Sequence, residues 1–235
     1  MEQLRQEAAL LGLELSPAQL KTFVRYRQLL QAWNQRINLT AIDDDEGVRV
    51  RHFLDSLICA TVAGNLDGQK VVDVGAGAGF PGLPLKILFP HMHLTLVESV
   101  TKKARFLETV IQELALTEVL VLDARAEVVG QDNACREAYD WAIARAVAPL
   151  NLLAEYLLPL CRVGGRVLAM KGERGPSEVE VALRAISTLG GGQPKLHPVR
   201  LPQRDELSYL IVIEKTAHTP SRYPRRPGMP AKRPL

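Results

Sequence analysis

The stretch Asp73-Val74-Gly75-Ala76-Gly77-Ala78-Gly79-Phe80-Pro81-Gly82 constrains the fold of this chain more than any other. The apolar run Val71-Val72-Asp73-Val74 ends directly in alternating glycines. It reads as a buried parallel strand followed by a tight turn. Glycines there let a ligand approach the backbone, and the helix that follows offers free N–H groups. The expectation is a nucleotide-like ligand at the carboxyl end of a first strand.

Beyond the turn, strand and helix patterns alternate: strands over 93–98, 119–123, 140–144 and 166–170, and helices over 101–116, 150–160 and 177–189. This rhythm predicts an α/β, Rossmann-like parallel sheet with helices on both faces. Two further strand-like segments, 194–201 and 209–214, are joined by too few residues for a crossover helix, so they predict an antiparallel hairpin at one edge. Upstream, Ser16-Pro17-Ala18-Gln19 is a helix-start signature, and Leu20, Phe23, Val24, Leu30, Trp33 and Ile37 recur at helical spacing. A second helix is expected after Asp43-Asp44-Asp45-Glu46, running through Phe53, Leu54, Leu57, Ile58 and Val62 to Gly64. The chain thus divides into a helical N-terminal cap (1–66), an α/β domain (67–216) and a tail (217–235) too rich in proline and arginine to pack as a core element.

The glycines allow two registers. Gly75, Gly77 and Gly79 give G-x-G-x-G, whereas Gly77, Gly79 and Gly82 satisfy the dinucleotide fingerprint G-x-G-x-x-G. Pro81 and Pro84 sit where a pyrophosphate-binding helix should donate N–H groups, and proline donates none. An S-adenosylmethionine site needs instead room beside the turn and carboxylates for the ribose hydroxyls and amino group. Asp73 lies two residues before the first glycine, and Glu98 ends the second strand. Asp123, at the end of the third strand, is a candidate to bracket the adenine, with a helix cap as its alternative.

Apolar residues make up 47% of the 235 residues, enough for a sizeable core. No apolar run approaches the ~18 residues that cross a bilayer, and the N-terminus has no signal pattern, so a cytoplasmic, membrane-free monomer is expected. Cys59, Cys135 and Cys161 have no metal or disulfide spacing and read as reduced core thiols, Cys161 in a helix. His91 and His93 read as a strand entrance, and no metal site is expected. The net charge is only +3, but basic residues cluster, above all Arg222, Arg225, Arg226, Lys232 and Arg233 in the tail. Clustered cations on a nearly neutral chain suit a polyanion touched at a few places.

Taken with its extension Leu83-Pro84-Leu85, the glycine-rich motif resembles the first motif of the bacterial small-subunit rRNA guanine-N7 methyltransferases, the glucose-inhibited division protein B family. Further matches are Asn38-Leu39-Thr40, Arg51-His52-Phe53-Leu54-Asp55-Ser56-Leu57, Lys102-Lys103-x-Arg105-Phe106-Leu107, Ala144-Arg145-Ala146, Met170-Lys171-Gly172 and Tyr223-Pro224-Arg225-Arg226-Pro227-Gly228. The resemblance implies a seven-stranded methyltransferase sheet, S-adenosyl-L-methionine as cofactor, and 16S rRNA or the small ribosomal subunit as partner. It implies methyl transfer to guanine N7 in the decoding-site loop, with cofactor contacts at Gly75, Phe80, Glu98, Ser99, Val100, Ala126, Glu127 and Arg145.

Guanine N7 carries an in-plane lone pair, so its methylation needs positioning rather than a base. The sequence has neither an Asn/Asp-Pro-Pro-aromatic motif after its fourth strand nor a Pro-Cys nucleophile. Arg145 stands at that strand end instead, as a candidate positioning residue facing the RNA, the cofactor carboxylate or guanine O6. Lys171 is a second candidate on the same rim, with a surface salt bridge as its alternative. Lys102, Lys103 and Arg105 open a helix whose dipole disfavours cations, which points to RNA phosphate as their partner. Arg51 and His52 are placed near the RNA, with a capping role for His52 equally open; Arg222, Arg225 and Arg226 complete the RNA candidates. The alternatives are a methyltransferase acting on another RNA guanine or a small molecule, a dehydrogenase, and a non-catalytic RNA-binding or assembly protein.

Overall fold

The computed structural model describes residues 1–145, 147–202 and 206–235; Ala146 of the Ala144-Arg145-Ala146 motif and part of the 202–208 connection lie outside the described residues. Seven strands form one sheet in the order β3-β2-β1-β4-β5-β7-β6. They are β1 (Lys70–Val74), β2 (His93–Glu98), β3 (Val119–Asp123), β4 (Tyr139–Arg145), β5 (Cys161–Lys171), β6 (Lys195–Val199) and β7 (Ser208–Glu214). The first five pair in parallel, and β7 runs antiparallel between β5 and β6. The terminal hairpin therefore forms as expected, with its second strand inserted against β5.

The N-terminal helices are α1 (Glu2–Leu10), α2 (Pro17–Ile37), α3 (Asp45–Gly47), a π-helical stretch (Val48–Leu54), α4 (Asp55–Leu57) and α5 (Ala60–Ala63). Ser16 caps α2 through the full reciprocal box: its side chain accepts from the Gln19 N–H, and the Gln19 side chain accepts from the Ser16 N–H. The single helix expected after the acidic cluster is instead broken into short turns around the π stretch. There the Ser56 hydroxyl donates to the His52 carbonyl at 2.5 Å, and the widened turn carries Arg51 and His52. An Arg49–Glu7 ion pair buried between the π stretch and α1 ties the chain's first helix down.

Between the strands lie α6 (Gly82–Leu88), α7 (Thr101–Glu113), α8 (Ala126–Val129), α9 (Leu150–Leu157) and α10 (Gly175–Thr188). One core cluster joins the N-terminal helices to one sheet face, combining Phe23, Tyr26, Phe53 and Leu57 with Leu83, Leu96, Phe106, Trp141 and Ile143. The helical cap thus shares its core with the sheet. The other face packs Val72, Val97 and Ala144 against Val129, Leu153, Leu157 and Ile186.

Two expectations are corrected. Cys161 opens β5 rather than sitting in a helix, paired with Tyr139 across an irregular register, and burial pushes its thiol up to about 12. The tail is packed, not loose: Tyr223 joins the second core cluster, and a last helix, α11 (Met229–Lys232), lies against α9. Arg136 donates to the Tyr223 and Thr219 carbonyls at 2.6 and 2.8 Å, and Gln131 donates to the Pro224 carbonyl at 2.7 Å. Proline removes donors from this segment, so its carbonyls are satisfied by side chains of the loop between α8 and β4.

Candidate functional site

Three strands of the sheet end at one cleft of about 320 Å³. Val74 and Gly75 from the end of β1, Val97 and Ser99 from β2, and Ala124, Arg125, Ala126 and Glu127 after β3 form its floor and one side. Val147 and Ala148 of the loop before α9, and Leu152 and Tyr156 of α9 itself, add to the lining, and Ala231 of α11 completes it. The chain turns from β1–β2–β3 to β4–β5 here, which is where open α/β sheets hold ligands.

The glycine turn is fixed from below. The Gly75 and Ala76 N–H groups both donate to the Val97 carbonyl, at 2.8 and 3.1 Å. Glu98 clamps the turn with both oxygens, accepting from the Gly77 N–H and the Val100 N–H at 2.8 Å each. Gly79 has φ +94, and a Cβ there would fall 2.4 Å from Leu83 and 2.5 Å from the Tyr26 hydroxyl. The Tyr26 hydroxyl itself donates to the Ala78 carbonyl, which fastens the turn to the cap.

At the start of α6 the Gly82 N–H donates to Asp73 Oδ2 at 2.8 Å, and the Leu83 N–H donates to the Gly79 carbonyl. Pro84 has none to give. No donor of that first turn is left for a pyrophosphate. The cleft instead offers apolar walls and the exposed Ser99 hydroxyl, with the buried Glu98 carboxylate in the turn beside it, each of whose oxygens keeps a lone pair for a ribose hydroxyl. This donor set fits S-adenosylmethionine.

Of the cofactor candidates, Gly75, Ser99, Ala126 and Glu127 line the cleft, while Gly77, Gly79, Glu98 and Val100 build the turn beside it. Other candidates stand elsewhere. Asp73 is fully buried behind the turn; only Oδ2 is bonded, Oδ1 lacks a partner, and desolvation raises its pKa to about 7. It supports the turn rather than touching a ligand. Asp123 is exposed at the end of β3, outside the cleft lining. The Phe80 ring is buried in the cap, stacked on His52 at 4.6 Å between centroids and on Tyr26 at 5.6 Å.

Arg145 also points away from this cleft. Its guanidinium donates to Asp55 at 3.0 Å and to the Arg51 carbonyl at 2.9 Å, and lies 4.9 Å over the Phe80 ring. It approaches His52 Nδ1 at 3.3 Å, where the Arg51 carbonyl also lies at 3.1 Å, while Nε2 faces the Thr40 hydroxyl at 3.0 Å and the Ile42 carbonyl at 3.1 Å. Burial and the Arg145 charge lower the His52 pKa to about 4, so the imidazole is neutral. It is largely buried, stacked on Phe80, and links cap and turn. Lys171 is in a salt bridge, but not a surface one: its ammonium, on a side chain only 8% exposed, pairs with Glu178 at 2.8 Å and donates to the Ala148 carbonyl, fastening the loop before α9.

A second cleft of about 370 Å³ lies beyond that loop, lined by Arg51, His52, Asp55, Arg145, Lys171 and Tyr209 among others. Among the RNA candidates, Arg51, Lys102, Arg105, Arg222 and Arg226 are exposed and Lys103 is half-buried. Arg225 is corrected: it is committed to Glu155 through its backbone N–H, Nε and Nη2. Sequence reasoning missed Tyr156, Leu152 and Ala231. The first two are spaced one helical turn apart on α9, a signal hidden in an apolar run; Ala231 carries none.

The family described as rRNA small subunit methyltransferase G matches residues 19–205. A ribosomal RNA small subunit methyltransferase G from Roseiflexus castenholzii is 52% identical over the full length of both chains. A protein of the same name from Chloroflexus aggregans is 49% identical over 95% of this chain and 93% of its own. Among solved structures, an S-adenosylmethionine-dependent O-methyltransferase from Thermotoga maritima aligns with a TM-score of 0.55 at 16% identity, covering 77% of this chain and 73% of its own, a likeness of fold. With sheet order, glycine turn and full-length similarity in agreement, the chain belongs to the rRNA small subunit methyltransferase G family.

Proposed function

We propose that this chain transfers a methyl group from S-adenosylmethionine to N7 of a guanine in the decoding-site loop of 16S rRNA. The observation that carries the reading is the cleft at the Gly75 turn, in a chain 52% identical end to end to a ribosomal RNA small subunit methyltransferase G. The bound cofactor would supply an electrophilic methyl carbon at the carboxyl ends of β1 and β4. Guanine N7 would attack that carbon with its own lone pair as the carbon–sulfur bond breaks and S-adenosylhomocysteine leaves, so no residue has to remove a proton. The chain's contribution is to hold the two partners in line and keep water out.

The second cleft supports this division of labour. Arg145, the last residue of β4, lines it while Val147 and Ala148 line the first. A base turned out of its stack would enter beside Tyr209, with exposed Arg51 at the rim for phosphate. The neutral environment suits a purine: Arg145 is paired with Asp55 and Lys171 with Glu178.

Mass mapping of rRNA nucleosides from a deletion strain tests the assignment. Loss of one N7-methylguanosine from 16S rRNA, restored by the wild-type gene, is the expected result; an unchanged nucleoside profile sinks it. Calorimetry with S-adenosylhomocysteine and with NAD separates the cofactor readings, and binding of NAD alone would overturn this one.

A further inference from the structure

The tail is held by two unequal anchors. Tyr223, Pro224 and Arg225 are locked in place: the Glu155 side chain, 1% exposed, accepts from the Arg225 N–H at 2.9 Å and from its guanidinium at 2.6–3.2 Å. Removing Arg225 would leave a buried carboxylate without its cation, so this half of the tail belongs to the folded domain. Beyond it, the Gly228 N–H donates to Glu127 Oε1 at 2.9 Å. Gly228 has φ +80, a left-handed conformation that turns the chain, and three residues later Ala231 reaches the cleft lining. Glu127 lines that same cleft and is buried, with Oε1 given to the tail.

We propose that residues 226–232 form a wall of the methyl-donor cleft over its adenine end, with Glu127, Gly228, Glu155 and Arg225 as positioning residues for cofactor binding. This rests on the reading of the cleft as the S-adenosylmethionine site. The ligand class is an adenosyl thioether or sulfonium, covered on the side of Ala126 and Glu127. Glu127 serves this site through the tail: it fixes the turn at Gly228, and the turn delivers Ala231. Reciprocity follows. If the wall raises cofactor affinity, bound cofactor must hold the wall in place by the same factor.

The test uses the full chain and S-adenosylhomocysteine. Gly228→Val places a β-branched residue at positive φ where no neighbouring atom lies within 4 Å of the new Cβ, so the strain falls on the turn. Expected is a roughly 5- to 20-fold weaker Kd with the melting temperature little changed, the size of an ordinary coupling. KM for S-adenosylmethionine should rise while KM for RNA stays. In the wild type, saturating S-adenosylhomocysteine should slow amide exchange in residues 226–232. Exchange there that ignores the ligand, or a Gly228→Val variant that binds as tightly as wild type, overturns the proposal. Ser99→Trp fills the cleft from the end of β2 and distinguishes the failures. If it abolishes binding while the tail measurements are negative, only the wall is wrong; if it too binds normally, the cleft reading falls with it.

Discussion

Arg145 Nη1 donates to Asp55 Oδ2 at 3.0 Å, joining the end of β4 to the helical cap. The two side chains are only 16% and 18% exposed, so neither charge is well solvated if the other is removed. Arg145→Ala is expected to destabilise the fold by about 2 kcal/mol or more, because it takes the paired cation from a largely buried carboxylate. A double-mutant cycle with Asp55→Ala in urea checks this: additive effects would mean that Arg145 works elsewhere, on RNA or cofactor.

His52 and Asp73 should pull the pH dependence of stability in opposite directions. The neutral native imidazole has a pKa of about 4, against about 6.5 when unfolded, so its contribution is full above pH 6.5 and is lost as pH falls toward 4. Wild type and His52→Asn, compared by urea unfolding at pH 7 and pH 4.5, should differ by on the order of 2–3 kcal/mol in their response to acid.

Asp73 reverses the sign. Its native pKa of about 7 lies above the usual 3.8, so the native state keeps a proton that the unfolded chain releases. Stability from this group is present at acid pH and falls as pH rises from about 4 to 7. Asp73→Asn, which can still accept from the Gly82 N–H, should therefore lose stability more steeply than wild type on acidification. Parallel pH curves for the two proteins would contradict the raised pKa.

The glycines of the turn should not be equivalent. At Gly79 an added methyl meets Leu83 and the Tyr26 hydroxyl below 3 Å, whereas at Gly77 only the Gly75 carbonyl lies within 4 Å, at 3.9 Å. Gly77→Ala should cost about 1 kcal/mol for its positive φ alone, and Gly79→Ala several. Thermal melts of both variants, with Tyr26→Phe added to relieve the clash at 79, test the ranking.

What the sequence made legible was local or periodic. The Ser16–Gln19 box and strands β2 and β3 came out with their observed limits, because each is set by neighbours within a few residues. The side-chain destinations were less accessible. Phe80 carries the family motif, but its ring goes to Tyr26 and His52, which only the tertiary fold brings near. Arg225 is visible as a charge, and nothing local announces that Glu155 is waiting for it. The prolines of the tail argue against packing, and here they mislead: Pro230 sits in the first turn of α11, and Arg136 and Gln131 satisfy the tail's carbonyls from outside.

Lys102 and Arg105 stand exposed in the opening of α7, which has no side-chain cap and no acid in its first turn. Cations at a helix N-terminus oppose its dipole by about 0.3–1 kcal/mol each, so Lys102→Ala with Arg105→Ala should leave the melting temperature unchanged or slightly raised. If both side chains meet phosphate, the same variant should bind 16S rRNA fragments more weakly, with the slope of log K against log salt reduced by about 1.5 to 2. A stabilised protein with weakened, less salt-sensitive RNA binding would separate a binding role from a structural one. Unchanged affinity and slope would move the RNA path away from α7.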